Sequence, residues 1–307
     1  MTDTIHPITQ LVHSTVRIQC IDSNSRESSG TGYIYFFCEE NGISFPCVVT
    51  NKHVVRGATR GVFNLTLRNE DGSPKLGSHE AVTLENPERY CIQHPTPSVD
   101  LVALPIGSIL NNATKEGRNY YFTPLGKNLI ATDALLTDLS PMEEIVMIGY
   151  PNGLWDEVHN LPIIRKGVTA THPRLKLNGK PEFLIDAACF PGSSGSPVFL
   201  VNLGSYLSPD GGLIVGSSRI ALLGTLYAGP QHATTGEIVV VEVPTDTKSL
   251  ALGTIPNNLG YVIQATELLA LEDAVCIALK PRALTSRNSK CPCGSGRRFK
   301  ECCGRLH

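Results

Sequence analysis

The sequence lacks any long uninterrupted apolar segment. No run approaches the ~18 consecutive apolar residues that a membrane-spanning helix requires, so the sequence argues against a membrane helix. Residues 1–10 also have no basic start followed by an apolar stretch, which is the pattern of a secretory signal. We therefore expect a cytoplasmic protein.

The chain also lacks a strong overall charge, since its formal net charge is −2. The charges are nevertheless unevenly placed. Residues 281–307 carry seven basic side chains and one acidic one, whereas the rest of the chain carries 19 basic and 27 acidic ones. A basic tail on an acidic body is typical of a separate module with its own partner, although a merely solvated tail has the same composition.

The composition favours a β-rich globular protein. Apolar residues make up 41% of the 307 residues and charged residues 18%, which supports a packed core and argues against global disorder. The 28 glycines and 21 prolines indicate many turns and short elements. The length predicts two domains, or one large domain with an appendage.

Short segments rich in β-branched and apolar residues form two series along the chain. The first lies at residues 16–21, 33–37, 45–50, 62–67, 81–84 and 101–104, and the second at 144–149, 162–171, 183–187, 197–201, 213–215, 221–226 and 238–243. Apolar spacing predicts a helix over residues 266–279. Two strand series and one helix predict an all-β fold of two packed barrels. We place the domains at residues 1–125, 126–283 and 284–307.

Residues 190–197 contain the most informative segment of the body. Small residues flank Ser194, and an apolar strand follows it. An attacking serine needs an exposed hydroxyl and nearby backbone N–H groups to hold the oxyanion that forms on the attacked carbonyl. Gly192 permits a turn in which its amide and that of Ser194 converge. The alternative is an ordinary Gly-Ser turn before a strand.

A histidine and an aspartate stand next to apolar strands in the first series. His53 follows the apolar segment that begins at Cys47, and Asp100 opens the segment 100–104. A carboxylate in such a pair accepts the second N–H of the histidine and fixes its tautomer. Asp186 competes with Asp100 because it lies close to Ser194 in the sequence.

Together these segments resemble the chymotrypsin-like serine proteases, especially the HtrA-type branch. The chain order His, Asp, Ser is that of the chymotrypsin fold. The resemblance implies a pair of six-stranded-type β-barrels with Ser194 as nucleophile, His53 as base and Asp100 as its orienting acid. It also implies an oxyanion hole made by the amides of Gly192 and Ser194. Ser193 stands where zymogen-activated relatives carry aspartate, so that activation switch should be absent.

The resemblance also implies where the primary specificity pocket lies. Its floor is expected near Ala188, six residues before the nucleophile, with Cys189 beside it. One wall is expected from Tyr227, Ala228 and Gly229. Because none of these side chains is charged at neutral pH, we expect cleavage after small or medium apolar residues.

Four of the ten cysteines lie close together near the C-terminus, at Cys291, Cys293, Cys302 and Cys303. Four thiolates suit a closed tetrahedral zinc site that has a structural role. Disulfides or a reactive thiol cluster are the alternatives. The spacing resembles the SEC-C motif, which implies a small zinc-bound recognition module. The remaining cysteines are expected to be small buried hydrophobic residues.

The sequence therefore predicts a serine endopeptidase with a zinc-bound C-terminal recognition module and no catalytic cofactor. The alternative is a latent or non-catalytic trypsin-like module used for binding. Arg297, Arg298 and Lys300 lie on the loop between the paired cysteines. We expect them to contact an acidic protein surface in preference to nucleic acid or the ribosome. The substrate is expected to be a protein or peptide.

Overall fold

Antiparallel strand pairing organises most of the chain in the computed structural model of the protein. The structure describes residues 6–40, 42–232, 238–242, 255–256, 258–283, 286–291 and 296–302. Across these ranges, no helix is both long and apolar enough to cross a membrane.

The first sheet has eight strands: β1 (Thr15–Asp22), β2 (Glu27–Glu40), β3 (Ile43–Thr50), β4 (Ala58–Arg68), β5 (Pro74–Glu85), β6 (Ile92–Gln93), β7 (Val102–Pro105) and β8 (Tyr120–Tyr121). Their order is β5-β4-β1-β2-β3-β7-β6, and β8 pairs with β4. Within the described part of the chain, the end strands β5 and β6 do not pair with each other. The first sheet is therefore an open path of strands, not a hydrogen-bonded ring.

The described residues of the second half form ten strands: β9 (Glu144–Gly149), β10 (Ile163–Thr169), β11 (Glu182–Asp186), β12 (Pro197–Asn202), β13 (Ser205–Leu207), β14 (Leu213–Val215), β15 (Arg219–His232), β16 (Ile238–Glu242), β17 (Ile255–Pro256) and β18 (Leu259–Gln264). Strand β12 pairs with both β9 and β15, which closes the ring β12-β9-β10-β11-β18-β15. The second sheet thus contains a closed six-stranded barrel, and β13 and β14 form a separate hairpin.

Five α-helices accompany the sheets in the described residues: α1 (Pro7–Val12), α2 (Lys52–Val55), α3 (Gly107–Lys115), α4 (Asp133–Thr137) and α5 (Glu267–Ala283). The predicted helix over 266–279 is α5. Between the two predicted strand series, residues 107–140 hold α3, β8 and α4. The all-β fold class is confirmed, whereas the domain boundaries stay a prediction.

Alternation of side chains along the strands divides the apolar residues between the core of each sheet and a core that the two sheets share. Along β2, Tyr33 and Tyr35 belong to the core shared by the two halves, whereas Ile34 belongs to the core of the first sheet. Along β12, Phe199 lies in the shared core, and Val198 lies in the core of the second barrel. Alternate side chains of a strand point to opposite faces, and here both faces pack against a core. These parts of β2 and β12 therefore have continuous apolar sequences.

Helix α5 follows the last strand of the second barrel and packs back onto the first sheet. Its Leu271 and Val275 are fully buried in the shared core. Cys276 of α5 forms a disulfide with Cys38 of β2, with a Cα–Cα distance of 6.0 Å, a usual separation for a disulfide. The expectation that the cysteines outside the C-terminal cluster are separate small hydrophobic residues is therefore wrong for this pair.

Candidate active site

His53 and Asp100 form the central hydrogen-bonded pair of the candidate site. Strand β3 ends at Thr50, and the short helix α2 places His53 directly after it, whereas Asp100 lies two residues before β7. Nδ1 of His53 lies 2.5 Å from Oδ2 of Asp100. The main-chain N–H of His53 donates to the other carboxylate oxygen at 3.2 Å. Both oxygens of Asp100 are thus directed at His53.

The residues before His53 hold the segment that carries Asp100. Nδ2 of Asn51 donates to the main-chain carbonyl of Asp100 at 2.8 Å. Nζ of Lys52 donates to the carbonyl of Pro97 at 3.1 Å. Since Asn51, Lys52 and His53 are consecutive, one turn of chain both supplies the imidazole and fixes its carboxylate partner. Asp186, the rival acid, lies exposed at the end of β11.

The loop of Ser194 sits against the first sheet. The N–H of Thr31 donates to the carbonyl of Ser194 at 2.7 Å, and Oγ1 of Thr31 donates to the carbonyl of Gly192 at 2.9 Å. Oγ1 of Thr50 donates to the carbonyl of Thr31 at 2.7 Å. Because Thr50 ends the strand that leads to His53, these bonds seat the serine loop at the same strand end.

Two glycines give this loop its shape. Gly192 has φ +85° and Gly195 has φ +88°, values that L-residues with a side chain rarely adopt. The N–H of Ser193 donates to the carbonyl of Phe190 at 3.0 Å, and the N–H of Ser196 donates to the carbonyl of Ser193 at 3.0 Å. These turns engage the amides of Ser193 and Ser196 with carbonyls of the loop itself.

The sequence matches the trypsin-like peptidase domain over residues 30–205, more than half of the chain. The chain belongs to the trypsin-like peptidase family. The matched range contains His53, Asp100 and Ser194.

Similar solved structures include the HtrA-type protease AlgW with tripeptide, at 17% identity and TM-score 0.46, with 89% of this chain and 63% of that chain covered. Deg5 is similar at 18% identity and TM-score 0.41, covering 71% of this chain and 81% of that one. The serine endoprotease from Yersinia pestis has 14% identity and TM-score 0.42, covering 87% and 65%. The chain thus spans less than two thirds of AlgW. A comparison with curated proteins found no match.

In this trypsin-like peptidase, the residues predicted for the pocket floor lie beside a cation. Ala188 is half-buried, and its carbonyl accepts a hydrogen bond from Nη1 of Arg165 at 2.5 Å. The Arg165 guanidinium lies 4.7 Å from the ring centre of Phe190. Burial raises the pKa of Cys189 to about 12, so its thiol is neutral at physiological pH. Sequence reasoning missed Arg165 because it lies 23 residues before Ala188.

The residues predicted for the pocket wall lie on β15, where Ala228 and Gly229 are buried. The hydroxyl of Tyr227 donates to Oε2 of Glu182 at 2.5 Å. Burial is the main cause that raises the pKa of Tyr227, followed by this hydrogen bond. Tyr227 and Glu182 line a cavity of about 150 Å³ that also reaches Asp100. Sequence reasoning did not identify Glu182 as part of this region.

The C-terminal tail matches the SEC-C motif over residues 287–305. The N–H of Cys291 donates to the carbonyl of Arg297 at 2.8 Å, and the N–H of Phe299 donates to the carbonyl of Ser289 at 2.8 Å. Residues 287–291 therefore pair through their backbones with residues 297–300. Cys291 is buried and Cys302 half-buried. Cys293 and Cys303 lie outside the described residues. The four-cysteine zinc site therefore stays a prediction.

Proposed function

We propose that this trypsin-like peptidase is a serine endopeptidase that uses Ser194, His53 and Asp100. The observation that carries the proposal is the double hydrogen bond from His53 to Asp100, at the strand end where the Ser194 loop is seated. With Nδ1 directed at a carboxylate, the neutral imidazole keeps its proton on Nδ1. Nε2 is then the atom that acts as general base.

The proposed reaction has two stages. Oγ of Ser194 attacks the peptide carbonyl carbon as Nε2 of His53 takes the hydroxyl proton, and the amides of Gly192 and Ser194 hold the oxyanion. His53 then gives this proton to the leaving amine as the C–N bond breaks, which leaves an acyl-enzyme. Water next attacks the ester with His53 again as base, releasing the carboxylic acid and restoring Ser194.

The surroundings of Cys189 support an oxygen nucleophile over a sulfur nucleophile in this loop. A thiolate, not a thiol, is the attacking form of cysteine. Because burial raises the pKa of Cys189 to about 12, the thiolate is scarce at neutral pH. Cys189 is also buried and its Sγ packs against Gly260 of β18, where an added β-carbon would lie 2.6 Å from it.

Labelling with a fluorophosphonate probe tests the proposal. We expect wild-type protein to be labelled at Ser194 and Ser194→Ala to be unlabelled. Ser193→Ala is the matched control, because it removes a neighbouring buried hydroxyl from the same loop and should keep the labelling. Labelling that persists in Ser194→Ala would contradict the assignment.

The burial of Ser194 favours the second candidate function, a latent peptidase module used for binding. Ser194 has a relative exposure of 0% in this structure, whereas an attacking serine must meet its substrate. In that case the wild-type protein would stay unlabelled by the probe, and peptide hydrolysis would be absent. The same labelling experiment therefore separates the two functions.

We also propose that the tail binds one structural zinc ion through Cys291, Cys293, Cys302 and Cys303. The support is the chemistry of four soft thiol donors and the backbone pairing of residues 287–291 with residues 297–300. Zinc would supply folding energy to a module of about 20 residues that is too small to bury a core. Arg297 and Arg298 are exposed on this module, and we propose that they contact an acidic protein partner.

A further inference from the structure

A buried histidine outside the proposed triad connects α5 to the loop that carries Asp100. The side chain of His94 is 0% exposed, and its Nε2 lies 3.3 Å from Oε2 of Glu267, the first residue of α5. The N–H of Thr96 donates to Nδ1 of His94 at 3.1 Å. Nδ1 also lies 3.4 Å from the carbonyl of Thr96. The ring is therefore held against the Thr96 backbone through Nδ1, and its Nε2 faces the Glu267 carboxylate.

His94 also closes the loop that ends in Asp100. Its N–H donates to the carbonyl of Leu101 at 3.0 Å, and within the loop the N–H of Val99 donates to the carbonyl of Thr96 at 3.1 Å. The position of His94 is therefore transmitted through one backbone hydrogen bond to the residue next to Asp100. Asn51 and Lys52 donate to other carbonyls of the same loop, those of Asp100 and Pro97.

The element that carries Glu267 is itself firmly attached to the first sheet. Oε1 of Glu272 accepts the N–H of Cys38 at 2.8 Å, and the Cys38–Cys276 disulfide lies one turn further along α5. Leu268 and Leu271 are fully buried between these polar contacts. The start of α5, and Glu267 with it, is therefore held in place relative to the first sheet.

We propose that His94 and Glu267 are positioning residues that hold the Asp100 carboxylate in register with His53. The inference rests on the proposed function, because it assigns a purpose to the geometry of the His53–Asp100 pair. Neither residue contacts the reacting atoms. Their effect is exerted through the 94–101 loop, which the pair joins to α5.

Glu267→Ala removes the side chain that faces His94, and Glu267→Gln keeps a polar side chain of the same size there. We expect Glu267→Ala to lower kcat about ten-fold with little change in KM, since a displacement of about 1 Å can cost up to about 100-fold. Glu267→Gln should restore most of the rate. Glu272→Ala is the matched control, because it removes another carboxylate that joins α5 to the first sheet away from the Asp100 loop.

The low-field proton NMR signal of the His53–Asp100 hydrogen bond gives a second readout that needs no substrate. It should shift or broaden in Glu267→Ala and stay in place in Glu272→Ala. Equal effects of the two alanine variants on kcat and on this signal would overturn the positioning proposal. If the signal responds selectively but wild-type protein neither hydrolyses peptides nor reacts at Ser194, the serine peptidase proposal fails and the positioning role stands.

Discussion

At the scale of single residues, the shape of the Ser194 loop depends on Gly195. A β-carbon there would collide with the carbonyl of Thr31 and lie 2.7 Å from Oγ1 of Thr50, and the residue also has φ +88°. We expect Gly195→Ala to destabilise the fold by about 1–3 kcal/mol from backbone strain, with a further cost from the clash. Displacing the loop should lower kcat/KM by at least about 100-fold, because the amides of Gly192 and Ser194 move with it.

Gly204→Ala is the control for this substitution. Gly204 has φ +79°, and a β-carbon there meets nothing within 4 Å. The variant carries the backbone strain without the clash, and it lies away from the serine loop. Chemical denaturation and peptide hydrolysis measure the two effects. Equal activity of the two variants would show that the close packing of Gly195 against Thr31 and Thr50 does not determine the geometry of the Ser194 loop.

The residues that the sequence identified are those with a local signature. His53 follows an apolar strand, Asp100 precedes one and Ser194 lies in a small-residue turn, and these patterns are visible in a few consecutive letters. The partners of those residues were not predictable. Glu267 lies far along the chain from His94, and Glu182 lies 45 residues from Tyr227. Only the barrel closure and the return of α5 bring such pairs together.

At the scale of elements, the Cys38–Cys276 disulfide joins β2 to α5 across 238 residues of sequence. A crosslink that closes a long loop restricts the unfolded chain, so we expect reduction to lower the free energy of unfolding by about 2–5 kcal/mol. Leu268, Leu271 and Val275 still hold α5 on the first sheet, and hydrolysis should continue in mild conditions. Denaturant midpoints with and without reductant measure this. The Cys38→Ser/Cys276→Ser double variant should not respond to reductant.

The prediction of elements succeeded where a strand is long and buried. Strands β1, β3, β9 and β12 lie close to the predicted segments because their apolar runs end at clear turns. The two-residue strands β6, β8 and β17 escaped prediction, since two residues carry no periodicity. Helices α1 and α4 have six and five residues, too few turns for a stable apolar face. Within the described residues, the second sheet closes into a hydrogen-bonded ring and the first does not. This difference depends on pairings between distant strands, which no local pattern contains.

At the scale of the whole molecule, an acidic body is joined to a basic tail. The cytoplasmic location that the sequence suggests stays a prediction. Disulfides persist mainly in oxidising compartments, so the state of Cys38 and Cys276 in cells bears directly on that location. Thiol trapping of the protein in intact cells would measure it.

Removal of residues 286–307 should separate the functions of the tail from those of the body. The backbone hydrogen bonds of the tail join its own residues, as between Cys291 and Arg297 and between Lys300 and Arg287. The proposed triad and the hydrogen bonds that seat its loops, in contrast, involve residues 31–194, and the predicted pocket wall and Glu267 also lie before the tail. Truncation should therefore eliminate bound zinc, as measured by elemental analysis, while hydrolysis of small peptides continues. Full-length protein purified without chelator should contain one zinc ion per chain, and its absence would contradict the four-cysteine site. Loss of peptide hydrolysis on truncation would instead make the tail part of the catalytic apparatus.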